Sequence, residues 1–472
     1  MAERATTVEA GIWRGWPLVL ALVCGGAAYS DSLRGPFIFD DIDSILNNPH
    51  VNRALPEGKD VPTSLRGRPV LTFSFEVDYA IGGMDVRVYH FTNLVIHLGC
   101  GVVLFGIMRR NFFSAPLWGG RFEHSSHWLA GAVVAIWLVH PLNTEAVTLV
   151  VQRAESLAGL FYLLVIYCLI RGWNAAVVAA CVLGLGTKEV VATAPVMALL
   201  YDRTFLAGSF LAAIRARKWL YFTLAGMLVV FLLGVVLSGA RSQSVGNILP
   251  GDYLITQMGV IAHYVALAFW PRGLVLDYYD WPVAHGVSEI SVGGWLVVIT
   301  IVATVVALKW KPWLGFLGAW FFGILAPSSS VIPVFTEVAA EHRMYLPLIA
   351  LVVLVVVGGW VLFSRNLIGC WVAGMIYIVV LAGLSGLTYL RNAEYQNAAV
   401  IWQDAVEARP GNPRAYFNLG YSELMAGQAR QAEGEFRRAL ELEPDYVAAA
   451  RLLWKAMGEA GESSTRPDGQ SP

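Results

Sequence analysis

The sequence predicts an all-α, polytopic membrane protein of about eleven transmembrane helices with a helical C-terminal tail. Three observations lead there. The 472 residues are 57% hydrophobic and only 14% charged, whereas soluble domains carry about a quarter charged residues. The mean hydropathy is +0.58, and apolar runs recur at lengths near the ~20 residues that a bilayer crossing needs. Past Arg391 the pattern changes to charge-rich amphipathic helix. The net charge of −1 comes with no basic tract of the kind that binds nucleic acid. Cys24, Cys100, Cys168, Cys181 and Cys370 all lie in apolar stretches without CxxC spacing, which indicates neither a disulfide framework nor a zinc site.

Spans are expected near 14–30, 89–108, 128–140, 155–170, 174–186, 190–201, 219–238, 293–308, 313–331, 345–363 and 369–389. The first follows Arg14 and reads as a retained signal anchor. Lys and Arg in short loops mark the cytoplasmic side: Arg109, Arg110 and Arg121; Arg203, Arg215, Arg217 and Lys218; Lys309 and Lys311; and Arg365. The opposite face collects the acids Asp40, Asp41, Glu145, Glu155, Glu189, Glu337 and Glu341. With the N-terminus inside and the tail outside, an odd number of crossings is required. Eleven spans satisfy this if the further apolar stretch 254–270 lies along or dips into the outer face. The alternative is that 254–270 crosses and one of the short pair 174–186 and 190–201 does not.

The domains are then a transmembrane domain over 1–390, whose first extracytoplasmic loop is 31–87, and a repeat domain over 391–458. Residues 459–472 read as a disordered end. The stretch "NPRAYFNLGYSELMAGQARQAEGEFRRALELEPDY" has the tetratricopeptide pattern, with Pro410 and Pro444, Val406 and Leu440, and Leu419 and Leu453 one 34-residue period apart. Fewer than two repeats are present, so the tail is expected to pack on the membrane domain or on a protein partner.

Five polar clusters interrupt the outer half of the apolar pattern, and ionisable groups there are functional candidates by default. The acidic pair Asp40–Asp41, in "FDDIDSILNNPHV", has the chemistry of a general base or a metal ligand, and equally that of a solvated loop or a helix cap. His90, Asn93 and His97 share one helix face in "YHFTNLVIH", which also suits a polar packing stripe. "HPLNTEAVTLVVQRAES" holds His140, Asn143, Glu145, Gln152, Arg153 and Glu155, a set that suits a site or a salt-bridged loop. Lys188–Glu189 sits between two short apolar segments, where a lysine can hold a phosphate or pair with a neighbouring helix. Glu341, His342 and Arg343 precede a long span, and an arginine at headgroup level suits a phosphate or simply snorkels.

Taken in order, "FDDIDSILNNPHV", "YHFTNLVIH", "HPLNTEAVTLVVQRAES", "TKEVVATAP", "EHRMYLP" and the repeat tail resemble the transmembrane O-mannosyltransferases that carry tetratricopeptide repeats. The resemblance covers residues 12 to about 455, and the short tail departs from members with many repeats. It implies a GT-C glycosyltransferase that takes a sugar, mannose foremost, from a polyprenyl phosphate and inverts the anomeric centre. The acceptor is then a hydroxyl, a protein Ser or Thr or else a lipid or glycan. By the resemblance Asp41 is the base, with Asp40 positioning the acceptor or a divalent metal ion. Arg343, His342, Lys188 and Arg153 hold the donor phosphate. His90, Asn93, His140, Glu145, Glu189 and Glu341 shape the sugar and acceptor sites. The site faces the periplasm of a bacterial inner membrane, or the endoplasmic reticulum lumen. Two other classes compete, a transporter of lipid-linked sugars and a membrane-anchored scaffold. The first usually carries a duplicated span pattern, and the second a longer repeat array.

Overall fold

In the computed structural model, which describes residues 15–48, 51, 67–113, 125–237, 248–330, 334 and 337–465, the regular elements are helices, and no strand occurs among the described residues. Arg14, Arg121, part of the first loop and the chain past 465 lie outside the described residues. The membrane-domain helices are α1 (Trp16–Ala28), α2 (Pro69–Gly82), α3 (Val86–Phe113), α4 (Ser126–Leu138), α5 (Thr144–Thr148), α6 (Arg153–Arg171), α7 (Asn174–Leu185), α8 (Ala194–Tyr201) and α9 (Phe210–Ala216). They continue with α10 (Lys218–Leu237), α11 (Pro250–Phe269), α12 (Val292–Trp310), α13 (Pro312–Leu325), α14 (Leu348–Phe363) and α15 (Leu367–Glu394). The tail is α16 (Ala398–Ala408), α17 (Pro413–Met425), α18 (Ala429–Leu442) and α19 (Val447–Thr465). Helix α19 runs past the expected boundary at 458.

Four helical segments are long and apolar enough to cross a membrane: Val86–Phe113, Val150–Arg171, Val292–Trp310 and Leu367–Glu394. Counting two bent pairs as spans makes six: Ser126–Leu138 with Pro141–Thr148, bent by 59°, and Glu189–Leu206 with Phe210–Ala216, bent by 105°. The stretch left open by parity is part of a continuous helix, Pro250–Phe269. Apolar side chains that face outward on α10, α12 and α15, among them Trp219, Val302 and Trp371, match a lipid surround rather than water.

Local chemistry sets the helix ends. Proline stands in the first turn of α1, α2, α11, α13 and α17, where its missing N–H is not needed. Asn412 caps α17 by accepting from the N–H groups of Arg414 and Ala415. Within the first loop, α2 is a helix that hydropathy does not mark, because "TFSFEVDYA" alternates apolar and polar residues. Tertiary contact with α3 and α6 decides its conformation.

That contact is centred on Arg153. Its Nε donates to Asn93 Oδ1 at 2.6 Å, and Nη1 to the carbonyl of Ser74 at 3.1 Å and its hydroxyl at 3.2 Å. Nη2 donates to Asp78 and to the Tyr89 carbonyl. The guanidinium also lies 4.6 Å from the Phe75 ring centroid. Five donors meet five acceptors, which is what a fully buried arginine requires. The hub ties α2, α3 and α6 together.

The tail docks by two further ion pairs. Arg409 pairs with Asp280, and Arg414 takes both carboxylate oxygens of Asp277. Asn412 Nδ2 adds 3.1 Å to Asp277 Oδ2 and 3.2 Å to its carbonyl. The junction of α16 and α17 therefore lies against the segment that holds Asp277 and Asp280.

Close helix approach is equally sequence-encoded. At Gly131, where α4 meets α1, an added Cβ would stand 2.5 Å from Pro17 Cβ and 3.1 Å from its backbone. Because neither partner is a flexible side chain, Gly131→Ala is expected to destabilise the protein by about 1–3 kcal/mol. Thermal unfolding in detergent checks this; an unchanged Tm would show that α1 shifts freely.

Candidate functional site

Four of the five polar clusters converge on one cleft of about 930 Å³ where apolar helices end; the His90–Asn93–His97 cluster does not line it. Its first wall is the loop containing Phe39, Asp40, Asp43 and Asn47. The opposing groups are Gln152 and Glu155 of the α5–α6 region, Lys188 and Glu189 of the α7–α8 turn, and Glu337, His342 and Arg343 ahead of α14. The last wall comes from the tail: Arg414, Phe417, Asn418 and Tyr446.

Asp40 and Asp41 are consecutive at the start of a helical turn, so their side chains diverge. Asp41 is buried and faces protein. Its Oδ1 accepts from Val151 N at 2.7 Å, and its Oδ2 from Val150 N and Ile38 N, each at 3.3 Å. Burial pushes its carboxyl up to about 7 against the pull of those three N–H groups. Asp40 is half-buried, lines the cleft, and makes no hydrogen bond or ion pair to another described residue. Burial, with Glu337 nearby, pushes it up to about 6; Arg414 and His342 pull it down.

The cationic side is a chain of paired groups. His342 is held twice by Glu145: its N–H donates to Oε2 at 2.9 Å and its Nδ1 meets Oε1 at 2.7 Å. Its Nε2 lies 3.8 Å from both Glu155 and Glu337. Burial, with Lys188 nearby, opposes the charge on this imidazole, but Glu145 and Glu337 together prevail and raise the pKa. Lys188 Nζ donates to Glu155 Oε1 at 2.7 Å. Arg343 donates to the carbonyls of Val338 and Glu337 and has Glu337 Oε2 at 3.9 Å. Glu337 is held below the usual carboxylate range: burial raises it, but His342, Arg343 and Lys188 together prevail.

Asp40, Lys188, Glu189, His342 and Arg343 thus meet in the cleft, as the sequence leads one to expect of a shared site. Arg153 does not reach it, because all its donors are spent in the α2–α3–α6 hub. His90 is bound at Nε2 to the Gly35 carbonyl at 3.0 Å, and Asn93 to Arg153 and the Val147 carbonyl. His140 caps its own turn through Leu142 N and meets the Ala268 carbonyl at 3.0 Å. Glu145 stands behind His342. Glu341 is buried, accepting at 2.6 Å from both Val275 N and Tyr278 Oη. These groups build the cleft rather than line it. Asp41 with its oxygens on backbone amides does not present a second carboxylate to a metal ion beside Asp40. Among the described residues, no group of three His, Cys, Asp or Glu side chains is placed to hold one.

Arg414 and Arg68 stand outside the candidate site residues of the sequence, Glu337 counts there only among the acids of this face, and Glu155 belongs to those acids and to the "HPLNTEAVTLVVQRAES" set without a role of its own. Arg68 Nη2 lies 3.1 Å from Glu189 Oε2. Arg414 falls inside a repeat pattern defined by small and apolar positions, which carries no signal for a polar wall.

The chain is similar to proteins named as O-mannosyl-transferases. One from Caenorhabditis elegans is 23% identical over 447 residues, 89% of this chain and 61% of that protein. Protein O-mannosyl-transferase TMTC1 of Mus musculus is 31% identical over 159 residues, 30% of this chain and 16% of its own length. TMTC2 of the same species is 30% identical over 253 residues, 47% of this chain and 28% of its own. The chain therefore spans less than two thirds of these relatives. No family model matches it, and no solved structure does.

Burial, opposed by Arg391 and by the bonds from Tyr278 and Val275, pushes Glu341 up to about 7. A carboxyl raised on folding adds stability below its unfolded value of about 4.3 and loses it as the pH climbs through its folded value. Glu341→Gln keeps the acceptor oxygen and removes the charge. Its Tm is expected to stay near wild type at acid pH and to exceed wild type increasingly from pH about 4 to about 7. Parallel melting curves across that window would sink the assignment.

Proposed function

We propose that this protein is an inverting glycosyltransferase of the GT-C type. It moves a sugar, mannose foremost, from a polyprenyl-phosphate donor to a Ser or Thr hydroxyl of a protein at the extracytoplasmic membrane face. One observation carries the reading: an open carboxylate, Asp40, shares a polar cleft with Lys188, His342 and Arg343 where apolar helices end. The names of the similar proteins supply the reaction class.

The chemistry follows from charge. The acceptor oxygen attacks the anomeric carbon as the bond from that carbon to the phosphate oxygen breaks. The electron pair leaves with the phosphate, which gains a negative charge and is best met by fixed cations. Lys188, His342 and Arg343 supply them, each already oriented by a carboxylate or carbonyl partner. The hydroxyl proton passes to a carboxylate. Asp40 is the group we assign to this step in place of Asp41, whose oxygens are committed to three backbone N–H groups. No step requires a metal ion. Glu189, exposed and paired with Arg68, borders the cleft where sugar or acceptor enters.

The architecture that accompanies this reading has eleven crossings, with Pro250–Phe269 along the outer face, and a tetratricopeptide-type tail. The cleft then opens to the periplasm of a bacterial inner membrane, or to the endoplasmic reticulum lumen. The short loops rich in Lys and Arg, around 109–110, 203–218 and 309–311, support this orientation by their charge.

The test is transfer from radiolabelled mannosyl-phosphoryl polyprenol to peptide and lipid acceptors in reconstituted membranes. Asp40→Asn is expected to lower kcat by roughly two to four orders of magnitude with the fold intact. Asp41→Asn should instead lower Tm, by about 1–3 kcal/mol of stability, because one amide oxygen cannot serve three donors. For wild type, kcat/KM should fall as the pH drops through about 6, as Asp40 takes up its proton. Full activity in Asp40→Asn, or a profile flat down to pH 5, would remove Asp40 from the step. Label found only in lipid would move the acceptor class.

A further inference from the structure

Phe39, immediately before Asp40, has φ +52°, and it is the only residue other than glycine with a positive φ among the described residues. An aromatic residue avoids this left-handed region, so surrounding contacts must impose it. Those contacts come from the tail. The Phe39 ring meets Trp402 of α16 edge-on, with centroids 5.2 Å apart and planes at 70°. The Arg414 guanidinium of α17 lies 5.7 Å from the same ring. Both are themselves fixed: Trp402 is buried, and Arg414 is gripped by Asp277. The chain then turns so that Asp41 seats on the Val150 and Val151 amides while Asp40 opens into the cleft.

We propose that the tail positions Asp40 by clamping Phe39 between Trp402 and Arg414. The first tail helices are then a working wall of the transfer site rather than an appendage, and Trp402, which does not line the cleft, is a positioning residue that acts through Phe39, which does. This inference rests on the transferase reading for its functional half only. Its structural half concerns where the loop sits.

The experiment uses the full chain in nanodiscs and two readouts. Amide hydrogen exchange over residues 37–46 and 148–153 reports whether Asp41 keeps its seat on Ile38, Val150 and Val151. Steady-state transfer from mannosyl-phosphoryl polyprenol to a Ser/Thr peptide reports the position of Asp40. Trp402→Ala is expected to speed exchange in both segments and to lower kcat by roughly a hundredfold, with the donor KM unchanged. Trp402→Phe, which keeps an aromatic edge, should recover most of both. Phe39→Gly leaves the tail intact and accepts the φ without strain, yet it removes the ring. It should reproduce the kcat loss, which guards against a tail that simply unfolds in Trp402→Ala.

Unchanged exchange in Trp402→Ala and Phe39→Gly overturns the clamp whatever the activity. Faster exchange with wild-type kcat overturns the positioning role. A rise in donor KM with kcat unchanged also overturns it, since the tail would then act in binding. A wild-type protein that turns over no donor would overturn the transferase reading instead, and the exchange result would still decide whether the tail holds the loop.

Discussion

The carboxylate of Asp41 accepts from Val151 N at 2.7 Å and from Val150 N and Ile38 N at 3.3 Å, and the rest of the site depends on that seat. It joins the first extramembrane loop to the turn that begins α6. The same turn continues into Arg153, whose five hydrogen bonds reach α2 and α3. Loop, turn and hub therefore form one connected polar structure inside a largely apolar bundle. A group left unpaired there would cost more than most single contacts contribute. With Asp41 committed, the helical rotation between consecutive residues turns the neighbouring Asp40 toward the cleft, provided that Phe39 holds the backbone conformation before it.

The cleft sorts its ionisable groups by partnership. Glu145 holds His342, Glu155 holds Lys188, and Asp277 holds Arg414, so the cations are fixed in place by acids on their protein side. Such pairing lowers the reorganisation needed when negative charge develops in front of them. Asp40 has the opposite treatment: it faces Glu337 and burial without a bonded cation, and its carboxyl is raised into the range where it can take up a proton near neutrality. On the proposed transferase reading, anion-binding wall and proton acceptor are thus separated by environment rather than by residue type.

Helical class, the tail and the clusters that line the cleft were legible in the sequence, because hydropathy and rare intramembrane charge are strong signals. The choice within each cluster was not. Adjacent aspartates differ only by about 100° of helical rotation, which no spacing argument assigns to a side. Arg153 looked like a phosphate ligand because its partner Asp78 lies in α2, a helix that alternation disguises. His90, Asn93 and His140 share this origin: a buried polar group on a span is as readily a satisfied packing group as a ligand, and only the acceptor opposite it decides. Arg414 was hidden for a different reason. Repeat periodicity is written in the small and apolar positions that pack helix on helix, so it says nothing about a polar residue on the outer surface of the first pair.

That last point changes what a short helical tail is for. A stretch with under two periods of a helical repeat pattern is too short to stand as a solenoid on its own. Here it need not. Arg409–Asp280, Arg414–Asp277 and the bonds that Asn412 Nδ2 donates to Asp277 fasten α16 and α17 to the membrane domain, and Phe417 and Tyr446, with centroids 5.0 Å apart, complete the wall. A tail fastened at the site can support Phe39 in a backbone conformation that Phe39 would not hold alone. On the proposal that the tail positions Asp40, its length and the integrity of the cleft are separate matters: further helices would extend a surface, whereas α16 and α17 carry the residues that contact Phe39.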